Sequence, residues 1–445
     1  AQAVSAPWAT RTVMEGQPGS VVASACFVAA GVLGVGILAV PHACASVGLP
    51  QMLLLLAVCA GLSFYTMRLL TLAAEGQDCG SFEALVDKLL GRWGALFLAW
   101  NILLANFGTA AAYSIVLDDR ISWALGSIWG PSTESRWRGL ADFIAVMLLS
   151  VPLSALRSVG ALRWTTRLSL GLILAFVALS LVYAGTEVKD LPAGWWAAHG
   201  SPTAAFGEGL PVAVFAFSAT SQVLPAWGEL RRVAAPACVG EAALSTWESA
   251  FLLRRQMDRV LGAAVGFSLA AYAAVGSSGL ATFHGDVRED VMDNFLASEG
   301  LHGSGRVLTL ALRALALGYG LLMAFAIPVT LFPARRSLNF ILSGACSEAE
   351  VEPRLLRCEG AALAVGAYVV GRLCRNLVTI LDLIGATSAV WVCVMLPVLL
   401  FLRGARPAPS GARRRTAQAV FCFGSMLGLS SLACTLWQRF GGRRQ

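Results

Sequence analysis

The chain has 445 residues, of which 57% are hydrophobic and only 13% are charged, and its mean hydropathy is +0.69. Because so little charge cannot cover the surface of a soluble protein of this size, the composition excludes a soluble globular fold. The formal net charge of +7 comes from arginines in the loops between apolar runs, and it gives no reason to expect a nucleic-acid partner.

Apolar runs near the bilayer-spanning length of about 20 residues recur along almost the whole chain. We therefore predict an all-α membrane protein with about eleven transmembrane helices in a lipid bilayer. The predicted spans are, in order, 21–44, 50–74, 93–117, 139–156, 164–184, 209–227, 258–282, 306–332, 359–374, 378–402 and 417–437. The sequence also predicts tails at 1–20 and 438–445 and an oversized loop at 229–258.

The loops between these spans alternate in charge. Those on one side are rich in arginine, for example Arg231, Arg232, Arg335, Arg336, Arg413, Arg414 and Arg415, and those on the other side are acidic, for example Asp118, Asp119, Glu289, Asp290 and Asp293. By the positive-inside rule, the N-terminal tail and the loop at 229–258 face the cytosol. An odd number of spans then places the C-terminal tail on the opposite side.

Two apolar segments, one in each half of the chain, are interrupted by glycine and proline. In residues 25–41, three glycines precede Pro41, and residues 209–225 read GLPVAVFAFSATSQVLP. Glycine and proline are the poorest helix formers, and a freed backbone group in lipid is tolerated only where it lines a cavity. A pair of interrupted spans predicts a site for a small solute near the middle of the membrane, so we interpret the chain as a transporter.

Eight motifs then follow one another over nearly the whole chain. They are GVGILAVPHACASVGL (34–49), SFYTMRLL (63–70), SFEALVDKLLG (81–91), PLSALRSVGALRWTTRLSL (152–170), LPVAVFAFSATSQVLPAWGELRR (210–232), DRVLGAAVGFSLAAYAAVGSSGLATFHGDVREDVMDNF (258–295), IPVTLFPARRSL (327–338) and LDLIGATSAVWVCVMLPVLLFL (381–402). In this order they resemble the amino acid/auxin permease family, and within it the sodium-coupled neutral amino acid transporters and their vacuolar relatives.

The resemblance implies a LeuT-like fold. Two inverted five-helix repeats would occupy residues 21–184 and 209–402, with one extra helix at 417–437, and the first and sixth helices would be broken in the middle. It further implies alternating-access transport of a neutral L-amino acid across the plasma membrane or a vacuolar or lysosomal membrane.

An amino acid carries a carboxylate and an ammonium that both need a replacement for water inside the membrane. Neither interrupted segment contains Arg, Lys, Asp or Glu, so backbone groups must bind both ends. We expect N–H groups of Val35 to Leu38 to bind the carboxylate and carbonyls of Phe215 to Ser218 to bind the ammonium. The predicted substrate-binding residues are Gly31, Gly34, Val35, Gly36, Ile37, Leu38, Asn106, Phe215, Phe217, Ser218, Thr220 and Ser221, with Phe107 and Tyr113 as further candidates.

These residues also have structural interpretations. The glycines would suit close helix packing, the hydroxyls would bond to carbonyls of their own helix, and Asn106 would bridge two helices.

At the positions where the sodium-coupled relatives are expected to bind sodium, this chain has different residue types. The resemblance implies an Asn four residues before the first glycine of GxGIL and a hydroxyl residue just before IP, and here these positions read Ala30, Ala324 and Ala326. Alanine side chains cannot bind a hard cation. We therefore predict proton-coupled or uncoupled transport, with sodium-coupled symport as the alternative.

A proton route needs a titrating group, and His42 is the candidate because it follows Pro41 directly. The alternative interpretation is that His42 has a structural role and forms a hydrogen bond near the membrane interface. Asp382 and Glu359 are predicted near helix ends, where their side chains would reach water.

Other classes of protein find less support. The sequence has no HExxH motif, paired carboxylates or Cys/His metal spacing, so we predict neither an enzyme nor a cofactor or metal. A channel would need a polar pore helix or a filter repeat, which is not found. An amino acid-sensing receptor on a transporter fold stays open, as does the oligomeric state.

Overall fold

The structure is a computed structural model that describes residues 21–75, 77, 82–129, 140–155, 163–188, 191, 194–197, 205–234, 246–284, 286–297, 306–344, 351–405 and 410–437. In chain order its helices are α1 (Val21–Val32), α2 (Gly36–Val47), α3 (Leu49–Ala74), α4 (Phe82–Trp129), α5 (Leu140–Ala145), α6 (Val151–Ser154), α7 (Arg163–Glu187), α8 (Leu210–Ala216), α9 (Thr220–Ala234), α10 (Thr246–Phe283), α11 (Val291–Ala297), α12 (Arg306–Ser343), α13 (Pro353–Cys374), α14 (Leu377–Ile384), α15 (Leu396–Gly404) and α16 (Gly411–Leu436). Wider π-helical turns at Val146–Ser150, Ala205–Gly209, Gly385–Ala389 and Trp391–Met395 join α5 to α6, precede α8 and join α14 to α15.

The described residues form an all-helical bundle without a strand, as predicted. Eight helical stretches of the described residues are long and apolar enough to cross a bilayer, with α8 and α9 counted as one stretch and α14 and α15 as another. α1 and α2 together make a ninth, bent span. The two remaining predicted spans fall on α5 with α6, which is short, and on α13, which carries several charged residues. Large apolar side chains on the outside, such as Trp93 and Leu429, suit a lipid-facing surface. The count of about eleven spans stays a prediction.

The centre of the bundle is built from the two interrupted segments and the helices that surround them. α10 packs against α1, α2 and α3, and α8 lies between α2 and α14. Two glycines allow close approaches there: a Cβ on Gly279 would lie 2.8 Å from the Pro41 side chain, and one on Gly385 would lie 2.1 Å from the Pro211 carbonyl oxygen. Neither position has room for a side chain, and at Gly385 the two backbones pack directly on one another.

Helix α4 is much longer than its predicted span, 93–117. It continues to Trp129 without a break after Gly91, whose φ of 73° separates a first short section. The section from Arg92 to Trp129 is about 57 Å long, whereas the hydrocarbon core of a bilayer is only about 30 Å thick. Asp118 and Asp119, which were assigned to a loop, therefore lie on a continuous helix. The assignment was wrong because charged residues lower the hydropathy of a stretch without ending its helix.

The placement of Asp382 and Glu359 near water was also wrong. Asp382 is completely buried in α14, and Glu359 of α13 is only 8% exposed. Glu359 accepts a hydrogen bond from Asn339 Nδ2 at 2.7 Å, and that nitrogen also donates to the carbonyl of the buried Arg335. Hydropathy averages a stretch of sequence, so it cannot show that a distant helix supplies the polar partners of a buried carboxylate.

The tails at 1–20 and 438–445 and the middle of the loop at 229–258, residues 235–245, lie outside the described residues.

Candidate substrate site

The first interruption separates α1 from α2. α1 ends at Val32 and α2 begins at Gly36, and the two helix axes differ in direction by 56°. The Gly34 N–H donates to the Val32 carbonyl at 3.1 Å, which forms a tight turn between the helices. The Ile37 and Leu38 N–H groups donate to the Gly34 and Val35 carbonyls, at 3.3 Å and 3.1 Å, so the beginning of α2 is bonded to this turn.

The second interruption separates α8 from α9. It also contains three residues, Phe217, Ser218 and Ala219, and Phe217 leaves the helical region with φ −104° and ψ 20°. Ser218 closes the turn because both its N–H and its Oγ donate to the Phe215 carbonyl, at 3.1 Å and 2.6 Å. Ser63 of α3 donates to the Phe217 carbonyl at 2.9 Å.

The two interruptions lie side by side. A Cβ on Gly36 would lie 3.4 Å from the Phe215 ring and 3.8 Å from Ala216 Cα, so glycine lets the start of α2 approach the end of α8. Tyr272 of α10 connects them, because its buried hydroxyl lies 2.7 Å from the Val32 carbonyl oxygen and 3.0 Å from that of Ala216. These carbonyls lie at the C-terminal ends of α1 and α8, where the helix dipole is negative. The single hydroxyl proton of Tyr272 is shared between them.

A second cross-link joins the same pair of segments. A Cβ on Gly31 would lie 2.2 Å from the Gln222 side-chain amide, so the amide of α9 lies directly on the glycine of α1. Gln222 Oε1 is buried and accepts no hydrogen bond from the described residues, which leaves a polar acceptor at the junction. Sequence reasoning named neither Tyr272 nor Gln222. The available signal was the presence of a polar side chain in an otherwise apolar span, because such a group in lipid needs a partner.

The predicted residues from α4 divide into two groups. Tyr113 reaches the site, since a Cβ on Gly34 would lie 3.8 Å from the Tyr113 hydroxyl oxygen. Asn106 Nδ2 donates to the Ile102 carbonyl of its own helix at 2.8 Å. Phe107 packs against Gly366 of α13, where a Cβ would lie 3.3 Å from its ring. The structure thus places Tyr113 beside the first interruption and directs Phe107 towards another helix.

The predicted residues on α2 and α9 also differ in burial. Val35, Ile37 and Leu38 are buried. Thr220 is buried as well, whereas Ser221 is exposed.

The three alanines at the expected sodium positions contribute no side-chain oxygen. Ala324 is buried, and its carbonyl already accepts a hydrogen bond from Ser150 Oγ at 3.0 Å. Ala30 and Ala326 are partly buried. Among the described residues no cluster of three or more His, Cys, Asp or Glu side chains is placed to hold a metal ion.

His42 lies in α2, between the first interruption and one end of the bundle. Its Nδ1 is 2.9 Å from the Val287 carbonyl oxygen, so Nδ1 carries the hydrogen and donates it. Val287 belongs to the segment 286–290 that leads into α11. His42 therefore connects the second helix of the bent span to that segment.

An all-helical membrane bundle whose core combines two interrupted spans is the architecture of a secondary transporter. The chain belongs to the family described as transmembrane amino acid transporter protein, which matches residues 17–246 and 248–438. The suspected resemblance is confirmed, and the family and its relatives are transporters rather than enzymes.

Two relatives illustrate the similarity. Amino acid transporter AVT6E of Arabidopsis thaliana is 26% identical over 384 residues, which cover 84% of this chain and 73% of the relative. Sodium-coupled neutral amino acid symporter 2 of Danio rerio is 24% identical over 403 residues, with coverage of 84% and 73%.

Solved structures support the fold. A manganese transporter of Eremococcus coleocola has a TM-score of 0.59 at 16% identity, over 98% of this chain and 92% of that one. Mhp1, a nucleobase-cation-symport-1 family transporter, has a TM-score of 0.52 at 14% identity, over 95% and 91%. Both are LeuT-fold transporters, so the prediction of a LeuT-like all-α membrane protein is confirmed at the level of the fold.

Proposed function

We propose that this protein is a secondary-active transporter that moves neutral L-amino acids across a membrane by alternating access. The observation that carries the proposal is the junction of two interrupted helices held by one hydroxyl, that of Tyr272. Each interruption has three non-helical residues, and each lies at the start of a proposed five-helix repeat, 21–184 or 209–402. This correspondence supports the inverted repeat and the identification of the two segments as broken first and sixth helices.

The zwitterion is bound by backbone groups. The first N–H groups of α2, from Val35 to Leu38, bind the carboxylate, and the carbonyls of Phe215 to Ser218 bind the ammonium. Ile37 and Leu38 exchange their bonds to the Gly34 and Val35 carbonyls for bonds to the substrate. The residues of the two interruptions carry no ionisable side chain. A substrate with a charged side chain would leave that charge without a partner in a poorly solvated site, so the site favours neutral amino acids.

Transport is proton-coupled or uncoupled in this proposal. The alanines at positions 30, 324 and 326 and the occupied Ala324 carbonyl support independence from sodium. The alternative, sodium-coupled symport, is supported by the names of relatives such as sodium-coupled neutral amino acid symporter 2. An amino acid-sensing receptor on the same fold is the second alternative. We place the protein in the plasma membrane or a vacuolar or lysosomal membrane, with eleven spans and a cytosolic N-terminus.

Reconstitution into proteoliposomes tests the proposal. The purified chain should exchange internal unlabelled for external labelled neutral L-amino acid without any ion gradient, and an imposed sodium gradient should add little. Saturable binding without exchange would favour the receptor, and exchange that requires sodium would favour the symporter. Absence of both binding and exchange across the neutral amino acids would refute the proposal.

A further inference from the structure

Four exposed arginines lie at the arginine-rich end of the bundle without an acidic counterpart. They are Arg403 at the end of α15 and Arg413, Arg414 and Arg415 near the start of α16. Among the described residues, none of the four pairs with a carboxylate. No Asp or Glu follows Asp382 in the chain, so no neighbour in the sequence neutralises them. We call these four arginines, together with Arg68 of α3, the arginine patch.

Helix α15 connects the two other helices that carry the arginine patch. It packs against both α3 and α16, and a Cβ on Gly404 would lie 3.3 Å from the Ala73 carbonyl oxygen of α3. Gln77, just beyond α3, donates to the Gly404 carbonyl at 3.4 Å. The end of α15 is thus bonded to the end of α3, and α16 begins only seven residues after Gly404. The arginines of all three helices therefore lie at the same end of the bundle.

Tyr65 of α3 lies where the charges of α3 and α16 converge. Arg68 Nε pairs with Asp258 of α10 at 3.0 Å, yet the Arg68 side chain stays 51% exposed. Tyr65 lies about one turn before Arg68 and is within electrostatic reach of both Arg68 and Arg413. A phenol O–H and guanidinium N–H groups are donors that suit phosphate and carboxylate oxygens. Tyrosine and arginine are also the residues that anchor a span at the membrane surface.

An exposed apolar stripe on α3 leads up to these two residues. Leu54, Val58 and Gly61 are exposed, and their spacing of three or four residues places them on one face of the helix. The same spacing continues to Tyr65 and Arg68. From Leu54 to Tyr65 the stripe rises about 16 Å, which is close to half of the bilayer's hydrocarbon thickness of about 30 Å. The stripe therefore has the length of the acyl region of one leaflet.

Helix α16 repeats this arrangement. Ala419, Cys422, Met426 and Leu429 are exposed, and their spacing places them on one face that continues to Arg415. Two helices thus each present an apolar stripe that leads to an arginine. A molecule with a charged head and long apolar chains can use both parts of this surface, whereas a soluble anion can use only the arginines.

The arginines of α16 are not explained by the stability of their own helix. A helix dipole is positive at its N-terminus, so cations there are unfavourable. The first turn of α16 contains no acidic residue, and Ser410 does not cap it with its side chain. An anion from outside the chain is therefore the group that would compensate this charge.

We propose that the arginine patch binds the headgroup of an anionic phospholipid, whose acyl chains lie along the exposed stripes of α3 and α16. Clusters of four to eight basic residues next to a membrane span are typical of such recognition. The positive-inside rule assigns the arginine-rich end to the cytosolic leaflet, which is the leaflet that carries anionic lipids. The inference goes beyond the proposed transport function and does not depend on it, because lipid binding is measured without transport.

Native mass spectrometry of the purified chain in detergent tests the proposal. Phosphatidylserine and phosphatidylcholine with identical acyl chains are titrated separately. The wild type should bind phosphatidylserine at least about tenfold more tightly. The double variant Arg413→Gln/Arg414→Gln should lose at least about tenfold in affinity for phosphatidylserine, because each arginine near an anionic headgroup contributes about fivefold. Its affinity for phosphatidylcholine should stay unchanged.

A matched control removes the same charge from the opposite end of the bundle. Arg288→Gln/Arg375→Gln replaces two arginines that are also exposed. This variant should bind phosphatidylserine as the wild type does. If it loses as much affinity as Arg413→Gln/Arg414→Gln, net charge and not the arginine patch attracts the lipid, and the proposal is refuted. Equal affinity of the wild type for the two lipids would refute it without any variant.

A soluble competitor distinguishes a lipid from a free phosphate compound. Glycerophosphoserine carries the headgroup of phosphatidylserine without its acyl chains. At equal concentration it should leave the bound lipid in place, because it gains nothing from the apolar stripes. If it displaces the lipid as effectively as phosphatidylserine itself does, the patch is a site for a soluble anion and the lipid proposal is wrong.

Hydrogen exchange in nanodiscs locates the bound lipid on the wild-type chain. Peptides that cover the start of α16, residues 411–420, should become more protected when phosphatidylserine replaces phosphatidylcholine. Peptides from residues 286–297 at the opposite end should not change. Unchanged protection at the start of α16 would overturn the proposal even if the arginine variants failed to fold.

Discussion

The junction of the two interrupted spans and the buried ion pairs of Arg120 on α4 differ in how they treat charge. At the junction, the residues of both interruptions are uncharged, and the polar groups are backbone carbonyls and N–H groups connected by Tyr272. Around Arg120, the side chains are ionised, and Arg120 pairs with Asp290 and Asp293. Backbone dipoles can bind a zwitterion without a buried ionised side chain, whereas each buried ion pair fixes two charges in the protein. The buried ion pairs of Arg120 thus lie apart from the junction that we propose for the substrate.

The most severe disruption of the junction is expected from Gly36→Leu. A Cβ at this position already contacts the Phe215 ring, and the larger side chain would force the start of α2 away from α8. Uptake should fall at least about 100-fold, because displacement of binding groups by about 1 Å is that costly. Gly61→Leu is the matched control, since nothing lies within 4 Å of a Cβ on Gly61 of α3. If both variants reach the membrane at normal levels and only Gly61→Leu transports, the proposed site is supported. If Gly36→Leu transports as well, the proposed site is contradicted.

Tyr272→Phe tests the junction with the loss of a single oxygen. The substitution removes the hydroxyl that serves the Val32 and Ala216 carbonyls, which costs about 1–3 kcal/mol when buried acceptors lose their donor. Exchange should fall about tenfold, since 1.4 kcal/mol corresponds to that factor. Tyr65→Phe on α3 is the control, because Tyr65 is only partly buried. Equal exchange by Tyr272→Phe and wild type would show that the bridge is dispensable.

Ser63→Ala is a milder change at the second interruption. It removes the donor to the Phe217 carbonyl and leaves the backbone turn at Ser218 in place. A neutral hydrogen bond contributes about 0.5–1.5 kcal/mol, so the apparent substrate affinity should weaken about two- to tenfold. Thr71→Ala, which removes a hydroxyl bonded within α3, serves as the control. If Thr71→Ala weakens the apparent substrate affinity more than Ser63→Ala does, the contact of Ser63 with the Phe217 carbonyl has no special role.

Replacement of external sodium by choline should have the smallest effect. The side chains of Ala30, Ala324 and Ala326 provide no oxygen ligand, so we expect uptake to change by less than about twofold. Uptake of labelled amino acid in the two media measures this directly. A strict sodium requirement would show that backbone carbonyls alone hold the ion and would favour the symporter alternative.

The bend in the first span could be predicted from the sequence because its cause is local. Glycines and prolines weaken a helix wherever they occur, and α1 ends at Val32, four residues before Gly36. The bridge by Tyr272 could not be predicted in this way. Its hydroxyl binds Val32, which is 240 residues away in the chain, and no local pattern records such a pairing.

The acidic residues illustrate what hydropathy could not predict. Asp118 and Asp119 ended a hydropathy window and were assigned to a loop, and Asp382 and Glu359 were expected to reach water. All four lie on helices, and Asp382 and Glu359 are buried in the bundle. Hydropathy measures the tendency of a segment to leave water. It contains no information on which distant side chain compensates a buried charge.

The unusual length of α4 has a practical consequence. Tyr113, which faces Gly34, and Arg120, which binds the segment before and within α11, are seven residues apart, so they lie on the same face of one helix at a separation of about 10 Å. The remaining turns of that helix, up to Trp129, extend towards the aqueous phase. A nanobody or a fluorescent label attached to these terminal turns would be carried by the same helix as Tyr113, and so would report binding at the proposed substrate site without touching it.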